Sequence, residues 1–300
     1  MVIESFEQLI KNVQNFEGIK KVAVVAAQDS HTIEAVYQAV DNNIIKPIFI
    51  GNREQIEEII IRLGRKISDV EIINTLNDNE SALKAVELAR DGEVQLIMKG
   101  KIQTADLLKA VVNKENGLRT GSLMSHFVII EAPGYHKLLV TTDGGMIMYP
   151  DLEQKKKIIE NAVGVLYLLG YENPKIAVLA AVEKINPKMP ESIDAGRLKE
   201  MNQSGKITGC VVEGPISYDL AVCKTSAEIK GYESPVAGDA DVLIVPNITA
   251  GNILGKCLTF TAGAKMAGFI VGAKVPIILT SRGSTTEEKY LSLVLSAAAS

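Results

Sequence analysis

The chain reads as an α/β protein built from two α/β/α domains with mostly parallel sheets. Three observations predict this. Continuous apolar runs of strand length recur, among them Val22–Ala26, Leu96–Met98 and Val275–Thr280, as expected of strands buried on both faces. Helix-period segments alternate with them over short connections, which implies parallel strands wrapped by crossover helices. Finally, 300 residues with 47% hydrophobic content suffice for about two domains that bury on the order of three quarters of the unfolded surface.

In order, Ile3, Phe6, Leu9, Ile10 and Val13 share one face of a first helix. Lys20 and Lys21 lead into the strand Val22–Ala26, Ser30 is placed to cap a helix to about Val40, and Pro47–Gly51 is the next strand. A helix over about 53–63, a strand Val70–Ile73, a helix from about Asn79 to Arg90 and a strand Leu96–Met98 follow. Gly100-Lys101 then turns into a helix with Thr104 as its expected cap. Ser122–Glu131 and Lys137–Thr142 read as adjacent strands joined through Pro133-Gly134. Pro150 and Asp151 start a long helix to about Leu169, so a domain boundary is expected near Tyr149. Strands Lys175–Ala181, Gly209–Glu213, Asp241–Val245 and Val275–Thr280 are expected to form the second series.

The stretch Val275–Tyr290 carries the sharpest chemical signal. A strand ends at Thr280, Ser281 and Arg282 follow, and Thr285 with Glu288 three residues later fits a capping box. Ligands of open α/β sheets bind beyond the carboxyl ends of the strands, where helix N-termini favour anions. There a hydroxyl can donate to developing negative charge, a guanidinium can grip phosphate, and a carboxylate can take a proton. Ser281, Arg282 and Glu288 therefore read as oxyanion donor, phosphate clamp and general base. The same residue types also serve as ordinary caps.

Lys101 with Thr104, and Arg119 in the loop Gly117–Gly121, are further anion-binding candidates. Asn247 and Asn252 follow a strand in Pro246–Asn252 and can hydrogen-bond a carbonyl or phosphate; turn formation also accounts for them. His126 lies beside strand residues and could carry a proton, although a structural role is the commoner one. Gly251–Cys257 is one residue short of a P-loop and has Cys where Ser or Thr must stand.

A net charge of −4 and a pI near 5.6 argue against nucleic acid as the main partner. Cys210, Cys223 and Cys257 have no metal-ligand spacing and read as reduced thiols. No run approaches a membrane span, and the acidic start Met1–Gln8 does not read as a signal peptide, so the expected location is cytoplasmic, away from membranes.

Taken together, Gly214-Pro215-x-x-x-Asp219, Pro235–Leu243, Pro246–Ile253 and Ser281-Arg282-Gly283 resemble the phosphate acetyl/butyryltransferase family. Thr141–Met146 followed by Tyr149–Leu152 resembles its butyryl branch. The resemblance implies an isocitrate/isopropylmalate dehydrogenase-like architecture with the active site in a cleft between domains. It implies a first domain over 1–148, joined by a C-terminal helix 285–300, and a second over 149–284. The implied reaction is acyl-CoA plus phosphate giving acyl phosphate plus CoA, with butyryl as the expected acyl group and acetyl as the alternative. CoA and phosphate are substrates, no cofactor or metal is implied, and a homodimer or larger homo-oligomer is expected.

Ser281 matches the family's intermediate-stabilising serine, Arg282 its neighbouring arginine, and Glu288 the position of a proposed Asp base, with Glu287 as the alternative. Lys101, Thr104, Arg119, Ser125, Asn247, Gly251 and Asn252 are the expected substrate-binding residues. Lys109 stands where acetyl-branch members carry an arginine, which loses bidentate geometry. Two other classes compete. A metal- and NAD-dependent decarboxylating dehydrogenase would need a carboxylate cluster, for which Asp219, Asp239 and Asp241 are a loose set. A non-catalytic acyl-CoA or acyl-phosphate sensor would keep the anion site without the base.

Overall fold

The structure, a computed structural model, describes residues 2–15, 18–281 and 283–300. The chain begins with α1 (Phe6–Gln14), β1 (Lys20–Val25), α2 (Ser30–Asp41), β2 (Ile45–Gly51), α3 (Arg53–Arg62), β3 (Glu71–Asn74), α4 (Asp78–Arg90), β4 (Leu96–Lys99) and α5 (Thr104–Val111). It continues with β5 (Ser125–Glu131), β6 (Leu139–Thr142), α6 (Leu152–Leu168), β7 (Lys175–Leu179), α7 (Pro190–Gln203) and β8 (Val211–Ile216). Next are α8 (Tyr218–Val222), α9 (Lys224–Ile229), β9 (Val242–Ile244), α10 (Ile248–Thr261), β10 (Lys265–Val271), β11 (Ile277–Ile278) and α11 (Thr286–Ala298). Among the described residues no helix is long and apolar enough to cross a membrane.

The chain divides into two compact units, residues 1–6 with 125–266 and residues 7–124 with 267–300. In the second of these the strand order is β3-β2-β1-β4-β11-β10, parallel from β3 to β11, with β10 antiparallel to β11. Val22, Val24, Phe49, Ile97 and Met98 are buried here, as their continuous apolar runs predict. The other unit has the order β5-β6-β9-β7-β8, parallel except for the β5–β6 hairpin. Leu139, Ala177, Ile216 and Leu243 lie in its core. The cut expected near Tyr149 falls inside this unit, because β6 pairs with β9 through Val140–Val242 and its neighbours.

Some expectations are corrected. Val275–Thr280 does not close the second strand series: β11 pairs with β4 instead, Ile277 with Ile97 and Ile278 with Met98. The strand is short because Pro276 has no N–H to give, although its carbonyl accepts from Ile97 N at 3.1 Å. β10 has no counterpart in the expected elements, since Gly268 interrupts its apolar run. Asp29, not Ser30, caps α2, its carboxylate accepting from Thr32 N at 3.0 Å. Gln103 takes the cap position of α5 without a side-chain bond, and Thr104 is the first helical residue. The expected start of α6 is at Pro150 and Asp151; its first helical residue is Leu152, and Asp151 is the cap, forming a full capping box with Gln154.

α10 packs on the loop after β6 where Gly251 meets Gly144. A Cβ on Gly251 would come 2.7 Å from Gly144 Cα and 2.9 Å from Val245 Cγ2, whereas one on Gly255 would meet nothing within 4 Å. Helix propensity favours alanine at both positions by about 1 kcal/mol. Gly255→Ala is therefore expected to raise the melting temperature. Gly251→Ala is expected to lower it, because displacing backbone in a packed core costs about 1–3 kcal/mol. Thermal melts of the two variants check this; equal gains would contradict the packing role.

Candidate active site

The site is assembled from strand ends within the unit that holds residues 7–124 and 267–300. β1, β4 and β11 are parallel, so their carboxyl ends share one edge. β1 is also where the strand order reverses, with β2 and β3 on one side and β4 on the other, and ligands bind at such switch points. Gly100 N and Lys101 N donate to Val25 O and Ala26 O, both at 2.8 Å, which draws the turn after β4 against the end of β1. Gly100 is needed for that approach, since a Cβ there would lie 2.4 Å from Ala26 O. The Lys101 side chain is exposed at this edge.

The segment after β11 reaches the same edge and enters α11. Thr285 caps that helix, its hydroxyl accepting from Glu288 N at 3.1 Å. The reciprocal half of the expected capping box does not form: Ser284 Oγ donates to Glu288 Oε1 at 2.7 Å. The carboxylate is thus held by a buried serine and not committed to capping. Burial pushes the Glu288 carboxyl above the usual carboxylate range, opposed by the Ser284 hydrogen bond and the Lys289 ammonium. Ser281 is exposed, and its Oγ accepts from Gly283 N at 3.3 Å. Arg282 lies outside the described residues.

Beneath this segment sits a polar cluster that sequence reasoning missed. Lys289, only 5% exposed, donates from Nζ to Thr32 Oγ1 at 3.2 Å and to Thr280 Oγ1 at 3.3 Å, and lies 3.7 Å from Asp29 Oδ2. Burial draws the Lys289 ammonium below its ordinary range, opposed by the carboxylates of Asp29 and Glu288. Burial works against an ionised Asp29 as well, yet the Thr32 hydroxyl and N–H and the Lys289 charge outweigh it, leaving that carboxyl below the usual range. At the rim, His31 Nδ1 lies 3.3 Å from Thr286 Oγ1, which donates to Glu34 Oε2 at 3.0 Å. The local sequence gave no sign of this cluster, because a lysine after two glutamates reads as a solvated helix face.

The other candidates divide between the units. Lys101, Thr104, Arg119, Ser281 and Glu288 belong to the unit just described, as does the exposed Lys109. Arg119 is exposed and forms a bridge to Ala273. Ser125, Asn247, Gly251 and Asn252 belong to the other unit. There Ser125 is buried and accepts from Asn161 Nδ2 at 2.9 Å, and Asn247 caps α10 by accepting from Ala250 N at 3.0 Å. Gly251 provides the close packing described above, and Asn252 is exposed. Asp143 accepts from the backbone N–H groups of His126, Gly145, Met146 and Ile147 at 2.7–3.2 Å. His126 Nδ1 is buried without a partner, and burial pushes that imidazole below its ordinary range, opposed by the Asp143 carboxylate.

The carboxylates considered for a metal are taken up by lysines. Asp219 lies 3.2 Å from Lys230 Nζ, and Asp241 lies 2.6 Å from Lys137 Nζ. Asp239 pairs with Lys137 at 2.8 Å, with His136 at 2.9 Å and with Lys175. Among the described residues no group of three or more His, Cys, Asp or Glu side chains is placed to hold a metal ion.

The raised pKa of Glu288 sets a stability prediction. Because the folded protein binds its proton more tightly than the unfolded chain does, Glu288 costs stability as pH rises from the usual carboxylate range through its folded value, and the deficit persists above. Glu288→Gln, whose amide oxygen can still accept from Ser284, should therefore melt higher than the parent at neutral pH. The pH-dependent part of the difference should disappear well below the usual carboxylate range, where the parent carboxyl is protonated in both states. Melting curves across pH measure this; a difference that does not change with pH would contradict it.

Comparison with known proteins agrees with the motifs. The profile of the family described as phosphate acetyl/butaryl transferase matches residues 54–297. Phosphate butyryltransferase of Clostridium acetobutylicum is 44% identical over 296 residues, spanning 99% of this chain and 98% of that one. Phosphate acetyltransferase of Thermotoga maritima is 45% identical over 278 residues, spanning 93% and 94%. The crystal structure of a branched-chain phosphotransacylase from Enterococcus faecalis V583 superposes with a TM-score of 0.85 at 33% identity, covering 93% of this chain and 98% of that one. The chain belongs to the phosphate acetyl/butyryl transferase family, a family of acyltransferases.

Proposed function

We propose that the protein transfers a short-chain acyl group reversibly between coenzyme A and inorganic phosphate, with butyryl as its main acyl group and acetyl as the alternative. The observation that carries the reading, beside family membership, is the half-buried Glu288 carboxylate. It sits at the start of α11, at the strand-end crevice, held by Ser284 and left out of the capping box. A base in that setting is poised for a thiol, which normally titrates near pH 8.5.

In the direction that makes acyl-CoA, Glu288 takes the proton of the CoA thiol. The thiolate sulfur bonds to the carbonyl carbon of the acyl phosphate, and the carbon–oxygen bond to phosphate breaks, so phosphate leaves with its electron pair. Ser281 donates its hydroxyl to the oxyanion of the tetrahedral intermediate, and Arg282 grips the phosphate with its guanidinium fork. Lys101, Thr104 and Arg119 supply further positive charge and donors in the same unit. Ser125, Asn247, Gly251 and Asn252, in the other unit, are proposed to bind substrate as well. A homo-oligomeric state and a cytoplasmic location complete the proposal. It needs no cofactor beyond the two substrates and involves neither nucleic acid nor membrane.

The test is thiol release from butyryl-CoA and from acetyl-CoA, each with and without inorganic phosphate in metal-free buffer. Phosphate-dependent release, faster with butyryl-CoA, is expected; because one methylene discriminates only about 10- to 200-fold, acetyl-CoA should also react. Ser281→Ala and Arg282→Gln are each expected to lower turnover about 100- to 1000-fold in a folded protein. Release that ignores phosphate, or near-parental turnover in either variant, would contradict the reading.

A further inference from the structure

One side chain holds both ends of the segment that carries Ser281 and Glu288. Thr280 immediately precedes Ser281, and Lys289 immediately follows Glu288. The Lys289 ammonium donates to the Thr280 hydroxyl, so the two ends are tied to each other. It also donates to Thr32, whose hydroxyl and backbone N–H both donate to Asp29, the cap of α2. The segment is therefore tied through one cation to the helix that follows β1, at the strand where the sheet order reverses.

An ammonium this deep is a costly way to fill space. Burying a charge beside partners rarely adds net stability over a well-packed apolar side chain, so stability alone does not account for it. What hydrogen bonds to an ammonium do supply is direction, because each fixes a donor against one acceptor. Here the fixed acceptors lie just after β11 and in the first turn of α2, and among the described residues between Thr280 and the start of α11 at Thr286 there is no helix or strand.

We propose that Lys289 is a positioning residue for acyl transfer, pinning Thr280 and the first turn of α2 together so that Ser281 and Glu288 keep one fixed geometry toward the substrate. This rests on the acyltransferase reading above and adds a residue that touches no substrate. Its effect is expected on turnover, because misplacing a reacting group by about 1 Å costs on the order of 100-fold while leaving binding largely unchanged.

The test compares the parent with Lys289→Met and Thr280→Val in activity and in hydrogen exchange of the 277–290 segment. For folded Lys289→Met, kcat should fall about 10- to 100-fold with KM for CoA and acyl phosphate within about threefold of the parent. Exchange should rise in 281–288 and stay unchanged in β1 and β2. The acid limb of kcat/KM should move to higher pH, because the ammonium that favours ionised Glu288 is gone. The other charged groups around the segment, Asp29, His31 and Glu34 of α2, Glu287 of α11 and Arg282, are the same in both proteins.

Parental kcat and exchange in a folded Lys289→Met would overturn the proposal. If that variant does not fold, Thr280→Val decides: it keeps the ammonium beside Asp29 and Thr32 but cuts the tie to the Ser281 end. Faster exchange near Ser281 with lower kcat supports the proposal, and unchanged values overturn it. If the parent itself shows no phosphate-dependent acyl transfer, the functional reading fails, and exchange alone then decides whether Lys289 fixes the segment.

Discussion

The geometry of the site depends on a very short strand. β11 contributes only Ile277 and Ile278, yet its parallel register against Ile97 and Met98 of β4 decides where the chain emerges. Had the same residues paired antiparallel to β4, Thr280 and Ser281 would leave at the opposite edge of the sheet, away from the turns after β1 and β4. Two backbone residues cannot hold this alone. The anchor is α11, whose Leu291, Leu293, Val294 and Leu295 are buried, along with Ser292 and Ser296, so beyond its first turn the helix is enclosed on all sides. Burying each such leucine or valine contributes about 1.5–3 kcal/mol, which fixes the helix and with it the start of the segment it terminates.

On that anchored helix stand two adjacent ionisable groups under the same penalty. Burial raises the Glu288 carboxyl and lowers the Lys289 ammonium, so each is driven toward its neutral form, and each charge opposes the shift of the other. Their roles separate by what surrounds them. Lys289 faces inward, where two hydroxyls and Asp29 fix it; Glu288 is half-buried and held only by Ser284 among the bonds described above. A charge tied down by its neighbours and the proposed base are set side by side, and the proposed base weakens the fold at neutral pH. Catalytic sites commonly carry such a cost.

Much of the fold was legible because the parallel strands are continuous apolar runs and most helices carry caps. β1, β2 and β4 overlap the expected segments, β7 and β9 fall within them, and α6 starts next to Asp151, close to its expected start. The failures have local causes. Asp29 and Ser30 are adjacent residues that can both cap, and only the structure shows the Asp29 carboxylate taking the Thr32 N–H. Thr285 and Glu288 have capping-box spacing, yet Ser284 competes for the carboxylate one residue earlier. The pairing of β11 could not be read from Val275–Thr280, because an apolar run specifies burial without naming its neighbour. Ser281, Arg282 and Glu288 were visible as a strand-end motif. Lys289 was not, because its burial is created by α2, some 250 residues away in sequence.

The central physical claim is that burial leaves Glu288 with a carboxyl pKa above that of an ordinary glutamate, so that it can act as a base toward a thiol. Carbon-13 NMR titration of the glutamate side-chain carboxyls, with Glu288→Gln to assign the signal, measures this directly. The account predicts that the Glu288 resonance titrates at higher pH than the exposed glutamates. A value at or below theirs would contradict it.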